Sequence, residues 1–107
     1  MPKYLIQASY SAEGLKGLMK DKASGRKAAL DKALGGLGGG VESLYYCFGG
    51  DDVIVIAEAP DNVSIAALSL AASATGLVRT RTTPLLSVEE ADQALKKSVK
   101  YRAPGKK

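Results

Sequence analysis

Val41-Glu-Ser-Leu-Tyr-Tyr-Cys-Phe48, Gly49-Gly50-Asp51-Asp52 and Val53-Ile-Val-Ile-Ala-Glu-Ala59 are two β-rich runs joined by a four-residue turn, and their reading decides the fold. Glycine and aspartate supply the backbone conformations of a tight turn, so the runs on either side predict an antiparallel hairpin. The second run is apolar on both sides: Val53 and Val55 face one way, Ile54 and Ile56 the other. A strand of that kind sits inside a sheet covered on both faces.

Working outward, Lys3 to Tyr10 alternates Tyr4, Ile6, Ala8 and Tyr10 with Leu5, Gln7 and Ser9, the period of a strand. Ala12 to Leu37 reads as helix in two pieces, interrupted at Asp21-Lys-Ala-Ser-Gly25. Ser11 suits its N-cap, and the glycines from Gly35 to Gly40 end it. Downstream of the hairpin, Pro60-Asp61-Asn62 opens a second helix, Val63 to Thr75. Leu77 to Thr83 is a fourth strand, with Arg79 and Arg81 on one face. Ser87-Val-Glu-Glu90 is a capping box that starts a final amphipathic helix to about Val99.

The order β-α-β-β-α-β, then α, predicts an α+β, ferredoxin-like sandwich with an extra C-terminal helix and a four-stranded antiparallel sheet. Right-handed crossovers put the first two helices on one face of that sheet. On this reading Leu5, Leu44, Ile54 and Ile56 share one face and Ile6, Val53 and Val55 the other. The face without helices is an apolar patch that needs a cover. A second copy of the chain, in a homodimer or higher homo-oligomer, is the expected cover; the competing one is the final helix folded back. Residues 1–99 form the domain and residues 100–107 a basic tail.

The 107 residues suit one domain. Histidine is absent and Cys47 is the only cysteine, which excludes intramolecular disulfides, cysteine-paired zinc sites and every catalytic arrangement built on histidine. No metal or cofactor is expected. The net charge of +4 is carried by the end of the chain: removing Lys96, Lys97, Lys100, Arg102, Lys106 and Lys107 leaves −2. Nucleic acid is therefore not the expected partner of the folded surface. The N-terminal residues read as strand and no stretch has the length and apolarity of a membrane span, so the expectation is a cytoplasmic protein with no membrane partner.

Arg79 and Arg81, with Arg26 at the start of the second helical piece, are candidates to receive a small anionic ligand through a carboxylate or phosphate. A solvated strand face, or pairing with Glu42 or Glu58, is the plainer alternative. Gln7 and Ser9 are polar where a central strand is ordinarily apolar, so they line a cavity or bond across an interface. Tyr45 and Cys47 share a strand face and form a possible pocket wall, with an inert buried thiol as the commoner reading. Asp51 and Asp52 are two adjacent carboxylates without a third ligand, and are read as turn residues. The glycine run leaves a helix instead of entering one, which is the wrong geometry for a phosphate loop.

The opening Lys3-Tyr-Leu-Ile, Ser11-Ala-Glu-Gly14, Ser24 with Arg26, Leu37-Gly-Gly-Gly-Val-Glu42, Phe48-Gly49 before Asp52-Val-Ile-Val-Ile, Pro60-Asp61-Asn62 and Thr80 to Leu86 together resemble the GYD-domain family, from about Met1 to Glu90. The family's Gly-x-Tyr-Asp stands here as Gly49-Gly50-Asp51-Asp52, with Asp51 at the tyrosine position. The resemblance implies a fold of the dimeric α/β-barrel type and no particular reaction. Two functions fit. One is an oligomeric module binding a small ligand or a protein. The other is a cofactor-free enzyme of the dimeric α/β-barrel type, with a pocket built from Gln7, Ser9, Tyr45, Glu58 and Arg79.

Overall fold

The computed structural model describes residues 1–107. Strand β1 is Lys3–Tyr10, helix α1 Ala12–Gly36, strand β2 Gly40–Tyr46, strand β3 Val53–Glu58, helix α2 Asn62–Ala74, strand β4 Val78–Leu85 and helix α3 Val88–Lys96. The sheet order is β2-β3-β1-β4, with every neighbouring pair antiparallel. This is the ferredoxin-like arrangement that the element order predicts, with β1 and β3 central.

Local chemistry accounts for the boundaries. Ser11 caps α1 by accepting from the Gly14 amide at 3.1 Å, and Asp61 caps α2 by accepting from the Ser64 amide at 2.8 Å. Ser87 and Glu90 close the full capping box on α3. The end of α1 is a Schellman turn: Gly38 takes φ +81°, and the amides of Gly38 and Gly39 return to the carbonyls of Gly35 and Leu34. Gly39 also meets β3 so closely that a Cβ there would lie 2.0 Å from the Glu58 carbonyl oxygen. The expected break in α1 falls at Lys22, the one non-glycine residue with positive φ, at 68°. An ion pair between Arg26 and Asp21, at 3.6 Å, spans it.

One sheet face carries the core. Tyr4, Ile6 and Ala8 from β1 and Val53, Val55 and Ala57 from β3 meet Leu34 of α1 and Ile65 of α2. Tyr4 is almost wholly buried and donates its phenol hydrogen to Asn62 Oδ1 at 2.7 Å, which ties β1 to the start of α2. Leu44 belongs to this face too, and here the sequence expectation is overturned. A bulge between Val41 and Ser43 sets Leu44 opposite Val55, away from Leu5, Ile54 and Ile56.

The opposite face is not covered by this chain. Helix α3 buries no residue, so it does not fold back over the sheet. From Leu86 to Lys107 only Ala91 is even half-buried, and Leu86, Val88, Leu95, Val99 and Tyr101 are all exposed. The radius of gyration is 17.0 Å, against about 13 Å for a compact chain of this length. That excess is the projecting C-terminal segment. No helix is long and apolar enough to cross a membrane.

Candidate functional site

Strand register lays out the uncovered face in rows. Ser9 of β1 stands opposite Arg79 of β4. The next row runs Tyr45, Ile54, Gln7, Arg81, and the one after it Ser43, Ile56, Leu5, Thr83. The last places Glu58 and Leu85 on either side of Lys3. The middle is therefore apolar and the two ends are charged.

At one end the β2–β3 turn folds over the sheet. Asp52 pins it: its amide donates to the Ala8 carbonyl at 2.8 Å, and its carboxylate accepts from the Tyr10 amide at 2.8 Å. The Cys47 amide donates to the Asp52 carbonyl at 2.8 Å, and the Cys47 thiol reaches the Asp51 carbonyl at 3.2 Å. Held this way, Asp51 points onto the face. Its carboxylate accepts from Arg81 at 2.7 Å, from Gln7 Nε2 at 3.4 Å and from Ser9 Oγ at 3.3 Å. Ser9 Oγ also lies 3.2 Å from the Gly50 carbonyl, so its single proton serves one acceptor at a time.

These groups line a hollow of about 310 Å³ with no apolar side chain in its wall. Arg79 lines it and makes no ion pair. Two guanidinium groups against one carboxylate leave the hollow with a formal charge of +1. Arg79 keeps its planar donor fork free, the geometry that matches a carboxylate or phosphate.

Gln7, Ser9, Arg79 and Arg81 thus line one hollow, and the other three candidates lie elsewhere. Tyr45 is on the same face but on edge strand β2, two strands from Gln7, and is 71% exposed. Glu58 lies at the far end, 3.7 Å from Lys3; neither arginine is its partner. Lys3 also bonds Glu42, and that bond, ahead of the weaker pull of Glu58, holds the Lys3 ammonium above its usual pKa. Arg26 belongs to α1 and is on the helix side of the sheet. The five residues an enzyme pocket would need therefore do not converge.

The residue that sequence reasoning missed is Asp51. Composition marks it as a turn residue, and its partners are 30 to 44 positions away along the chain. The one signal available was its place at the departure from Gly-x-Tyr-Asp. No group of three or more histidine, cysteine, aspartate or glutamate side chains is disposed to hold a metal ion.

The family model described as GYD domain matches residues 4–95. No curated protein and no solved structure matches the chain.

Proposed function

The chain belongs to the GYD-domain family, and from that premise we propose that it is a self-associating module that binds a small anion at the Arg79 end of its uncovered sheet face. The observation that carries the reading is the hollow itself. Arg79 is unpaired in it, while the Asp51 carboxylate engages Arg81, Gln7 and Ser9. A carboxylate or phosphate placed there would receive the paired N–H donors of the Arg79 guanidinium without displacing any existing partner.

The apolar middle of the face supports self-association. Leu5, Ile54 and Ile56 remain half-exposed in the single chain, and a flat apolar patch between charged ends suits a sheet-on-sheet contact. The two ends differ in sign. Lys3, Glu42 and Glu58 sum to −1, and Asp51, Arg79 and Arg81 to +1. A two-fold axis running across the strands sets each end over the opposite end of the partner, whereas an axis along the strands would set like on like.

Native mass spectrometry across a dilution series tests both parts. The wild type is expected to be oligomeric and Ile56→Asp monomeric, since a carboxylate at the centre of the contact would be buried unpaired. Titration with inorganic phosphate is expected to show saturable binding that Arg79→Gln weakens about tenfold. A wild type that stays monomeric at high micromolar concentration refutes the self-association. Phosphate binding unchanged by Arg79→Gln refutes the site.

A further inference from the structure

The other side of the sheet holds a cavity that the open-face reading does not use. α1 covers β2 and α2 covers β4, and between them the core is hollow. The cleft, partly open to solvent, offers about 100 Å³, the same order as the roughly 150 Å³ engineered cavity that takes up benzene. Its walls are mainly aliphatic, with Ile6, Leu44 and Leu68 among them. A solvent-open groove of about 220 Å³ adjoins it, sharing Tyr10, Arg26, Ala72 and Val78. Together they form a slot that runs along β4 from Thr82 to Val78, about 13 Å by strand rise.

Two polar groups mark the slot as more than loose packing. The first is Thr82 Oγ1, which is screened from solvent and has no hydrogen-bond partner. Its neighbours in the wall solve the same problem between themselves, Ser69 Oγ and Thr80 Oγ1 lying 2.7 Å apart. A buried hydroxyl without a partner destabilises the fold, so its persistence points to a partner supplied from outside. The second is Arg26, just past the break in α1, where cleft and groove meet. Its only ion pair is the long one to Asp21, between side chains that are both 40–50% exposed, which an incoming carboxylate can replace. Burial, and then the adjacent Tyr10, raises the pKa of the Tyr46 phenol in the same wall, against the opposing charge of Arg26.

We propose that this slot binds a small amphiphilic carboxylic acid, with a ring-sized apolar body between sheet and helices, the carboxylate on Arg26 and a second oxygen at Thr82. The site is independent of the open face, because the sheet separates them.

Isothermal titration of the full chain with 4-hydroxyphenylacetate, phenylacetate and 4-hydroxyphenylethanol tests it. The first carries both polar ends, the second lacks the inner oxygen and the third lacks the carboxylate. The expected order of affinity puts 4-hydroxyphenylacetate first. Arg26→Gln weakens the two acids about tenfold and leaves the alcohol unchanged. Thr82→Val weakens 4-hydroxyphenylacetate and not phenylacetate. Ala72→Phe fills the slot and abolishes all three while unfolding stays cooperative. Arg79→Gln leaves all three unaffected, which separates this site from the open-face hollow. Absence of saturable binding by the wild type at millimolar acid overturns the proposal, as does binding that survives Ala72→Phe or is indifferent to Arg26→Gln.

Discussion

Replacing Asp51 by asparagine is expected to make the protein less stable and a better anion binder at once. The ion pair it removes joins an Arg81 side chain that is 68% exposed to a carboxylate that is 17% exposed, at 2.7 Å. Solvent screens such a pair, so its contribution is about 1 kcal/mol, the upper end of the range for exposed pairs. Asparagine retains an oxygen for Gln7 and Ser9, so little else is lost. With a urea m-value of about 2 kcal/mol/M, the unfolding midpoint falls by about 0.5 M. Binding moves the other way. An anion on Arg79 would share the hollow with the Asp51 carboxylate; for like charges on the order of 5 Å apart in a solvent-open site, removing the repulsion is worth about 1 kcal/mol per unit of anion charge. That corresponds to about fivefold tighter binding of inorganic phosphate as a monoanion. Urea denaturation and phosphate titration on the same preparations read both numbers, and both differences shrink at 1 M NaCl, where the screening length is about 3 Å. A turn with no ligand would lose stability and gain no binding. If Asp51→Asn binds phosphate no better than the wild type, the assignment of the hollow as an anion site is wrong.

Three further outcomes follow from the packing and the caps. Gly39→Ala forces a Cβ against the Glu58 carbonyl and is expected to cost about 2–3 kcal/mol, read as a lower melting temperature by calorimetry; no change would mean that the turn after α1 does not approach β3 as described. Leu34→Ala, at a fully buried position, is expected to cost about 3 kcal/mol in the same experiment, and a loss below 1 kcal/mol would remove α1 from the core. The carboxyls of Asp61 and Glu90 lie below their ordinary values of 3.8 and 4.5, each chiefly because it accepts from a backbone amide, of Ser64 and Ser87 respectively. Their stabilisation is complete above those ordinary values and is lost as pH falls through the lower, folded ones. Far-UV circular dichroism should therefore show helix loss only below about pH 4, and Asp61→Asn, which caps without titrating, should remove part of that step.

What could be read from residue order and what could not divide along sequence distance. The caps at Ser11, Asp61 and Ser87 are local, each accepting an amide three residues on; Ser11 and Ser87 fall where the sequence places them, and Asp61 lies in the Pro60-Asp61-Asn62 stretch read as opening the helix. The alternation of Tyr4, Ile6 and Ala8 with Leu5, Gln7 and Ser9 is likewise local, and both faces of β1 follow from it. Leu44 defeats the same logic because a bulge inserts one residue, and a single insertion turns every later side chain to the other face. The site was legible where register carries it: Gln7 and Arg81 are opposite one another once β1 and β4 pair. It was illegible where a loop folds back, since nothing near Asp51 in the chain announces Arg81. Arg26 is the converse case. Its charge type matched Arg79 and Arg81, but helix and strand put it on the far side of the sheet.

Both edges of the sheet carry devices that stop it growing. Edge strand β2 holds the bulge at Val41 and Ser43, with charged Glu42 inside it; edge strand β4 holds Pro84, which offers no N–H. Such edges are poor templates for another strand, so lateral recruitment into cross-β fibrils is disfavoured. A chain that is blocked at its edges and sticky on a face can satisfy itself by closed pairing, after which no adhesive surface is left over. The misplaced residue in β2 thus guards against runaway polymerisation as well as deciding which way Leu44 points.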